Sequence, residues 1–314
     1  MIEVKNLTKY YGGFPAVIEL DFSVGKGEIL GFLGPNGAGK TTVMKILTGF
    51  MPPSSGTASI AGYDVVSDSL SARKHIGYLP ETVPLYTDMT VEDYLGFMGT
   101  IRGMNKPRIQ KRISEVIDVC RLGEYQSTHI GKLSKGYRQR VGIAQAIIHE
   151  PDVLVLDEPT IGIDPIQVVE TRQLIKDLGG EHTLILSTHI LPEVSMICER
   201  VIIIHEGQIV AEDKPQNLSE RLQSVQRIEL EIKGPTKDVL NTLRGIKGIG
   251  DVTKSGDIQN GISSYLAESR RGSDIREEMA SSIVNNGWGL LKMEPRSMTL
   301  EEIFLKLTTV EEVE

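Results

Sequence analysis

The spacing with the clearest chemical meaning is a glycine-rich run that ends in lysine and threonine. The run consists of Gly34, Pro35, Asn36, Gly37, Ala38, Gly39, Lys40 and Thr41, in the pattern G-x-x-x-x-G-K-[ST]. Glycines let backbone N–H groups wrap phosphate oxygens, while Lys40 neutralises the outer phosphates and the Thr41 hydroxyl can ligate Mg²⁺. We therefore predict a phosphate-binding loop. The alternative, a glycine-rich turn at a helix start, would leave Lys40 without a partner.

Two adjacent acids follow an apolar run that reads as a buried strand. Asp157 and Glu158 come directly after Val153–Leu156, and ligands of open α/β sheets bind at the carboxyl ends of such strands. We expect Asp157 to hold Mg²⁺, directly or through water, and Glu158 to orient and deprotonate an attacking water. The alternative is a solvated pair of acids at a strand end.

These residues must be positioned by a sheet, and short β-branched runs alternating with helical patterns predict one in the first half of the chain. The pattern favours an α/β fold with a mainly parallel sheet flanked by helices. The strand candidates are Ile2–Val4, Val17–Val24, Glu28–Leu33, Thr57–Ile60, Ile76–Leu79, Val153–Leu156, Thr183–Ser187 and Val201–His205. Two of them, 153–156 and 201–204, are apolar on both faces, so they should be central.

A helical insertion is predicted at about 88–148, where strand signals are missing and helical periodicity is clear. Thr90 and Asp93 fit a capping box that opens one helix, and Pro107 opens another.

The pattern of strand and helix signals changes after Pro215, where a smaller α+β domain is predicted. Strand and helix patterns between about 225 and 295 follow the order β-α-β-β-α-β, which is that of a ferredoxin-like split unit. A last helix is predicted to begin at Thr299, with Glu302 completing its capping box.

Length and composition agree with two domains and exclude several classes of protein. The 314 residues carry 34 Lys+Arg against 42 Asp+Glu, and this net charge of −8 argues against a dedicated nucleic-acid binder. Cys120 and Cys198 form neither a CxxC pair nor a zinc motif, which favours reduced thiols. The first residues, which include Glu3, lack a signal peptide's apolar core, and no apolar run is long enough to span a membrane. We expect a chain that neither enters nor spans a membrane by itself.

An ordered set of motifs resembles the ATP-binding subunit of an ABC transporter over residues 1 to about 216, leaving 217–314 as an accessory domain. The motifs are GPNGAGKTT at 34–42, LSKGYRQR at 133–140, DVLVLDEP at 152–159, GIDP at 162–165 and STH at 187–189. The ending SMTLEEIFLKLT at 297–308 is similar to the endings of ATPases in the exporter branch, which contains drug-resistance and gliding-motility ATPases.

The resemblance implies a site for ATP and Mg²⁺ whose contacts extend beyond the phosphate loop. Thr42 joins the loop residues, and Tyr11 is the aromatic that stacks on adenine. Tyr10 is a competing candidate, and a tyrosine buried at a sheet edge is the other alternative. Ser134 and Gly136 are implied to grip a γ-phosphate held by a second subunit, although bare residues there would also make a helix N-cap.

Three more residues take roles from the resemblance. Glu81 stands where the family has glutamine and is implied to act in metal binding and coupling, against the alternative of an exposed loop acid. Asp164 is the aspartate that contacts the other subunit and can also cap a helix before proline. His189 is implied to reach the γ-phosphate as sensor and transition-state stabiliser. The signature LSGGQ reads LSKGY here, because Lys135 and Tyr137 replace glycine and glutamine.

The resemblance implies two cassettes, most simply a homodimer, that close on two Mg-ATP and hydrolyse them. Closure would drive a separate transmembrane permease, docked near 82–95, from the cytoplasmic face of the membrane. One alternative is a soluble ABC-type mechanical ATPase that acts on DNA or ribosomes. In another, the C-terminal domain binds a ligand and gates the ATPase, or only stabilises the dimer.

Overall fold

The computed structural model describes residues 1–217, 227–258, 261–269 and 275–296. The chain divides into two compact units, Met1–Pro215 and Gln216–Glu314. The helix predicted from Thr299, and with it the ending at 297–308, lies outside the described residues. In the described ranges, no helix combines the length and the apolar character needed to cross a bilayer.

The first unit contains a six-stranded sheet in the order β10-β9-β3-β8-β7-β6. Its strands are β3 (Ile29–Leu33), β6 (Ile76–Leu79), β7 (Val153–Asp157), β8 (Thr183–Thr188), β9 (Arg200–His205) and β10 (Gln208–Asp213). All neighbours are parallel except β10, which pairs antiparallel with β9. Every residue of β3, β7 and β8 is buried, so the predicted α/β fold with a mainly parallel sheet is confirmed.

An antiparallel sheet in the order β2-β1-β4-β5 covers one side of this core. Its strands are β1 (Ile2–Tyr11), β2 (Phe14–Val24), β4 (Ser55–Ile60) and β5 (Tyr63–Asp64). Phe22 from β2 packs against Phe32 from β3, with ring centroids 5.5 Å apart. The strand predicted at Ile2–Val4 is longer in the structure. Asn6 has φ +47° and the register shifts between Val4 and Leu7, which interrupts the alternation of buried and exposed residues along β1. β5 and β10 were not predicted from the sequence.

Seven α-helices lie in the described part of the first unit. They are α1 (Lys40–Leu47), α2 (Ser69–Lys74), α3 (Val91–Ile101), α4 (Lys106–Val119), α5 (Lys135–Ile147), α6 (Pro165–Leu178) and α7 (Leu191–Ile197). The hydroxyl of Thr90 accepts from the backbone N–H of Asp93 at 3.2 Å, which caps α3 as predicted. The structure caps α4 with Asn105, and Pro107 lies in its first turn.

The second unit has the predicted order β-α-β-β-α-β. Its elements are β11 (Arg227–Lys233), α8 (Thr236–Arg244), β12 (Ile249–Ile258), β13 (Ile262–Ser269), α9 (Arg276–Asn285) and β14 (Gly289–Arg296). The sheet order is β12-β13-β11-β14 with every neighbour antiparallel. Each β-α-β half is therefore split by a strand of the other half, as in ferredoxin-like domains.

Both cysteines are free and buried. Burial raises the pKa of the Cys120 thiol to about 12, and that of Cys198 is also raised. Neither side chain is therefore a thiolate at neutral pH.

The half-buried His149, just after α5, predicts a pH-dependent stability. Burial, and then the positive charge of Arg102, lower its pKa to about 4, and its Nε2 lies 3.0 Å from the carbonyl oxygen of Ile76. Between pH 6.5 and 4 the unfolded chain binds this proton more readily than the native chain, so stability falls as the pH falls. In His149→Gln, this contribution of about 2 kcal/mol should be absent.

Urea unfolding of wild type and His149→Gln at pH 7 and pH 4.5 measures this contribution. His129→Gln, at an exposed imidazole, controls for the loss of a histidine as such. An equal loss of stability on acidification in wild type and His149→Gln would contradict the prediction.

Candidate functional site

The loop between β3 and α1 approaches other backbone segments so closely that it requires glycine. A methyl group at Gly34 would collide with the carbonyl oxygen of Ile204, and one at Gly39 would collide with that of Ala16. Gly39 and Gly37 also have φ values of +104° and +86°, in the left-handed region that glycine favours. A methyl group at Gly37 would project into open space. A glycine-rich loop of this kind, just before a helix N-terminus, is where backbone N–H groups commonly bind phosphate.

Lys40 places a buried ammonium group at this loop. Its side chain is 5% exposed, and Nζ donates to the carbonyl oxygens of Gly34 at 2.7 Å and Pro35 at 3.1 Å. The same nitrogen lies 3.3 Å from Oε1 of Glu158, which is equally buried. A buried charge pair of this kind interacts strongly because little water screens it.

Asp157 is fully buried at the end of β7, and its two carboxylate oxygens differ in their hydrogen bonds. Its Oδ1 accepts hydrogen bonds from the hydroxyl of Ser187 and, at 3.3 Å, from that of Thr41. Its Oδ2 is buried and has no hydrogen-bond partner among the described residues. Burial and the charge of Asp157 raise the pKa of Tyr78 to about 12. A buried carboxylate oxygen beside a hydroxyl is a donor set that suits a hard cation.

The residues present fit Mg²⁺ only in company with a phosphate ligand. Within the described ranges, no three His, Cys, Asp or Glu side chains are grouped so that they could hold a metal. Asp157 and Thr41 supply two oxygen ligands, and Mg²⁺ commonly completes its coordination with water and substrate phosphates. Glu81 is exposed and lines the adjacent cleft.

Glu158 is held in an unusual backbone conformation between two partners. Its φ is +49°, and its backbone N–H donates to both the carbonyl oxygen and the hydroxyl of Ser187 at 3.1 Å. Its Oε2 lies 2.8 Å from Nδ1 of His189, which follows β8. The carboxylate therefore bridges His189 and Lys40.

A cleft of about 400 Å³ opens beside this group. Its lining residues are Tyr11, Phe14, Ala16, Asn36, Gly37, Gly39, Lys40, Thr41, Thr42, Glu81, Glu158 and Ile161. The structure thus brings the loop together with three residues from distant parts of the chain, Tyr11, Glu81 and Glu158. Gly34, Pro35 and Ala38 complete the loop but do not line this cleft.

Two aromatic side chains, Tyr11 and Phe14, line this cleft. Tyr11 is 47% exposed, which excludes a buried tyrosine at a sheet edge, and its hydroxyl lies 3.1 Å from Sδ of Met51. The competing candidate, Tyr10, does not line the cleft. Phe14 is 64% exposed and pairs with Tyr11 across the β1–β2 hairpin. Phe14 was not predicted as a site residue, although a hairpin turn at residues 12–13 would have placed it opposite Tyr11.

The other predicted phosphate and dimer residues lie away from the cleft, at the N-termini of α5 and α6. The Ser134 hydroxyl accepts from the N–H of Tyr137 at 3.4 Å, and Oδ1 of Asp164 accepts from that of Gln167 at 3.1 Å. Both caps are exposed. A methyl group at Gly136 would come within 2.8 Å of Cγ of Gln167, so glycine lets α5 approach α6 closely.

The replaced fifth residue of the signature has a packing role. The ring centroid of Tyr137 lies 4.1 Å from that of Tyr125, and the guanidinium of Arg140 lies 5.2 Å from the Tyr137 ring centroid. A hydrogen bond with Tyr125 raises the pKa of Tyr137. Lys135 is exposed at the start of α5.

A phosphate loop before α1, a buried carboxylate beside its threonine and a glutamate bonded to a histidine define a P-loop ATPase site. The ABC transporter family model matches residues 17–161. The linearmycin resistance ATP-binding protein LnrL of Bacillus subtilis (strain 168) is 32% identical over 312 residues, which cover 98% of each chain. The bacitracin transport ATP-binding protein BcrA of Bacillus licheniformis is 33% identical over 309 residues, covering 98% of this chain and 97% of that protein. The chain therefore belongs to the ABC transporter ATP-binding protein family, whose ATP-binding domains are ATPases.

Solved structures agree with this assignment over about 70% of the chain. An ATP-binding subunit of an ABC transporter superposes with a TM-score of 0.64 at 29% identity, covering 71% of this chain and 93% of that one. A dimeric ATP-binding cassette bound to ADP and Pi gives a TM-score of 0.62 at 26% identity, covering 68% and 98%.

Proposed function

We propose that this chain hydrolyses Mg-ATP as a dimer and so drives a membrane permease that exports its cargo. The observation that carries the proposal is the buried carboxylate of Glu158. It lies 3.3 Å from the ammonium group of Lys40 and 2.8 Å from the imidazole of His189.

In the proposed reaction, each residue has a separate task. Tyr11 stacks on the adenine, and Lys40 turns its ammonium group to the outer phosphates. Glu158 accepts the proton of the attacking water, a general-base contribution of about 10² to 10⁴. The Nδ1–H group of His189 donates a hydrogen bond to Glu158, because a carboxylate can only accept one. Nε2 is then left for the γ-phosphate, and it can donate to a phosphate oxygen when the imidazole carries both protons.

Mg²⁺ would be held by Asp157 and Thr41, with Glu81 close by in the cleft. When bound, it neutralises charge on the phosphate oxygens. The free buried Oδ2 of Asp157 is the feature that supports this assignment.

A second copy of the chain would complete each site. Ser134, Gly136 and Asp164 do not line their own chain's cleft, and Ser134 and Asp164 are exposed. The N-terminus of α5 carries the positive end of a helix dipole, which favours a phosphate from another subunit. Asp164 would contact that subunit.

The permease would dock at a second cleft, of about 390 Å³, on the first unit. Its lining residues are Glu81, Thr82, Val83, Leu85, Thr87, Lys135, Arg138, Gln139 and Ile161. Two of these residues, Glu81 and Ile161, also line the nucleotide cleft. The relatives named for linearmycin resistance and bacitracin transport support an exporter. The chain would then work at the cytoplasmic face of the membrane, without binding nucleic acid.

Recovery of the full-length tagged chain from detergent-solubilised membranes of its host tests this proposal. We expect an integral membrane protein to copurify with wild type and to be lost with Leu85→Asp, which puts a charge into the docking cleft. Leu70→Asp is the matched control, because Leu70 is exposed on α2 and outside this cleft. Equal recovery with both variants would contradict the docking site, and recovery of nucleic acid in place of a membrane protein would contradict the proposed function.

A further inference from the structure

A fully buried carboxylate lies behind the candidate site and is part of none of its motifs. Glu193 on α7 is 0% exposed. Its Oε2 accepts a hydrogen bond from the hydroxyl of Thr188 at 2.8 Å. Its Oε1 accepts one from the hydroxyl of Thr160, and a second from Nη2 of Arg172 at 3.2 Å. Both oxygens are therefore satisfied, and one cation balances the charge.

The three donors come from the segments that carry the site residues. Thr188 directly precedes His189, and its hydroxyl also accepts from the N–H of Ile190 at 3.0 Å. Thr160 lies in the segment that runs from Glu158 to Asp164. Arg172 lies on α6, which Asp164 caps. One side chain thus connects the histidine loop, the segment at 160–164 and the helix that follows it.

A buried carboxylate tolerates few alternative arrangements of its hydrogen-bond donors. If one donor moves away, the charge is left incompletely hydrogen-bonded in a dry interior, which is costly. The bonds to Thr160 and Thr188 consequently fix the distance between the two segments. His189 and Glu158 lie at the ends of these segments, with Nδ1 and Oε2 2.8 Å apart.

We propose that Glu193 is a positioning residue for ATP hydrolysis. It holds His189 and the segment at 160–164 in register with Glu158 and touches no nucleotide itself. This inference rests on the proposed function, since it acts through the roles assigned there to Glu158 and His189.

The test compares Glu193→Gln with Glu199→Gln in the full chain. Glutamine keeps the size of the side chain, but its NH₂ group cannot accept, so one threonine hydroxyl loses the acceptor for its proton. We expect kcat to fall about 10- to 100-fold, with ATP affinity within about twofold of wild type. Glu199 is exposed, six positions further on, and Glu199→Gln should retain the wild-type kcat.

Conservative variants separate positioning from folding. Thr188→Val removes the hydroxyl and should lower kcat, whereas Thr188→Ser keeps the hydroxyl and should retain most of it. If Glu193 acts through His189, the kcat loss in the Glu193→Gln, His189→Ala double variant should be smaller than the product of the single losses.

The possible results separate the positioning role of Glu193 from the proposed function. Wild-type turnover in Glu193→Gln, with a loss in His189→Ala, would overturn the positioning role and leave the proposed function intact. If Glu193→Gln does not fold, equal kcat values for Thr188→Val and Thr188→Ser would overturn it. Absence of hydrolysis by the wild-type chain would instead contradict the proposed function.

Discussion

Glu158→Gln is expected to lower ATP turnover by about 10² to 10⁴ while Mg-ATP binding is retained. The amide cannot accept the proton of an attacking water, but it occupies the same buried space between Lys40 and His189. It also removes a negative charge that would face the γ-phosphate. The closed Mg-ATP dimer should therefore accumulate.

Phosphate release measures the turnover, and size-exclusion chromatography with and without Mg-ATP measures the dimer. Glu124→Gln, at an exposed glutamate, is the matched control and should resemble wild type in both assays. Near-normal hydrolysis by Glu158→Gln would overturn its assignment as the general base.

Lys40→Ala is expected to weaken ATP binding itself, by about 10²-fold or more. The ammonium group is buried, and without it the carboxylate of Glu158 would face the phosphates with no cation between them. Repulsion then adds to the lost attraction. The two variants should thus differ in the step they affect, because Glu158→Gln retains nucleotide binding but loses turnover, whereas Lys40→Ala weakens nucleotide binding itself.

Equilibrium binding of a fluorescent ATP analogue, with Mg²⁺ present, distinguishes them. Lys45→Ala is the control on the same helix, since the Lys45 ammonium lies 5.9 Å from the ring centroid of Phe50. Equal affinities for wild type and Lys40→Ala would refute the role of Lys40.

The motifs predicted those parts of the fold and site in which a few neighbouring residues carry the information. Strands such as β7 are apolar on both faces, and this continuous run marks a central strand whatever its partners are. Caps such as Thr90 are likewise local, because the capping hydroxyl and the N–H it binds are three residues apart.

Features that arise from pairing across the chain escaped the motifs. Phe14 reaches the cleft through the β1–β2 hairpin, and β10 exists because it adds an antiparallel edge to β9. Glu193 is the clearest case. A glutamate in the first turn of a helix is usually exposed there and is stabilised by the helix dipole. The burial of Glu193 depends on Thr160, Thr188 and Arg172, which no local spacing connects.

The residues shared by the two clefts imply a thermodynamic constraint on nucleotide binding and partner binding. Glu81 and Ile161 line both the nucleotide cleft and the proposed docking cleft, so a ligand that moves either side chain in one cleft also changes the wall of the other. Coupling free energy between two binding sites is reciprocal. A membrane partner that binds the ATP-loaded chain tenfold more tightly must therefore raise the affinity for ATP by the same factor. The membrane partner would then be an effector of ATP binding, as well as the protein that ATP hydrolysis drives.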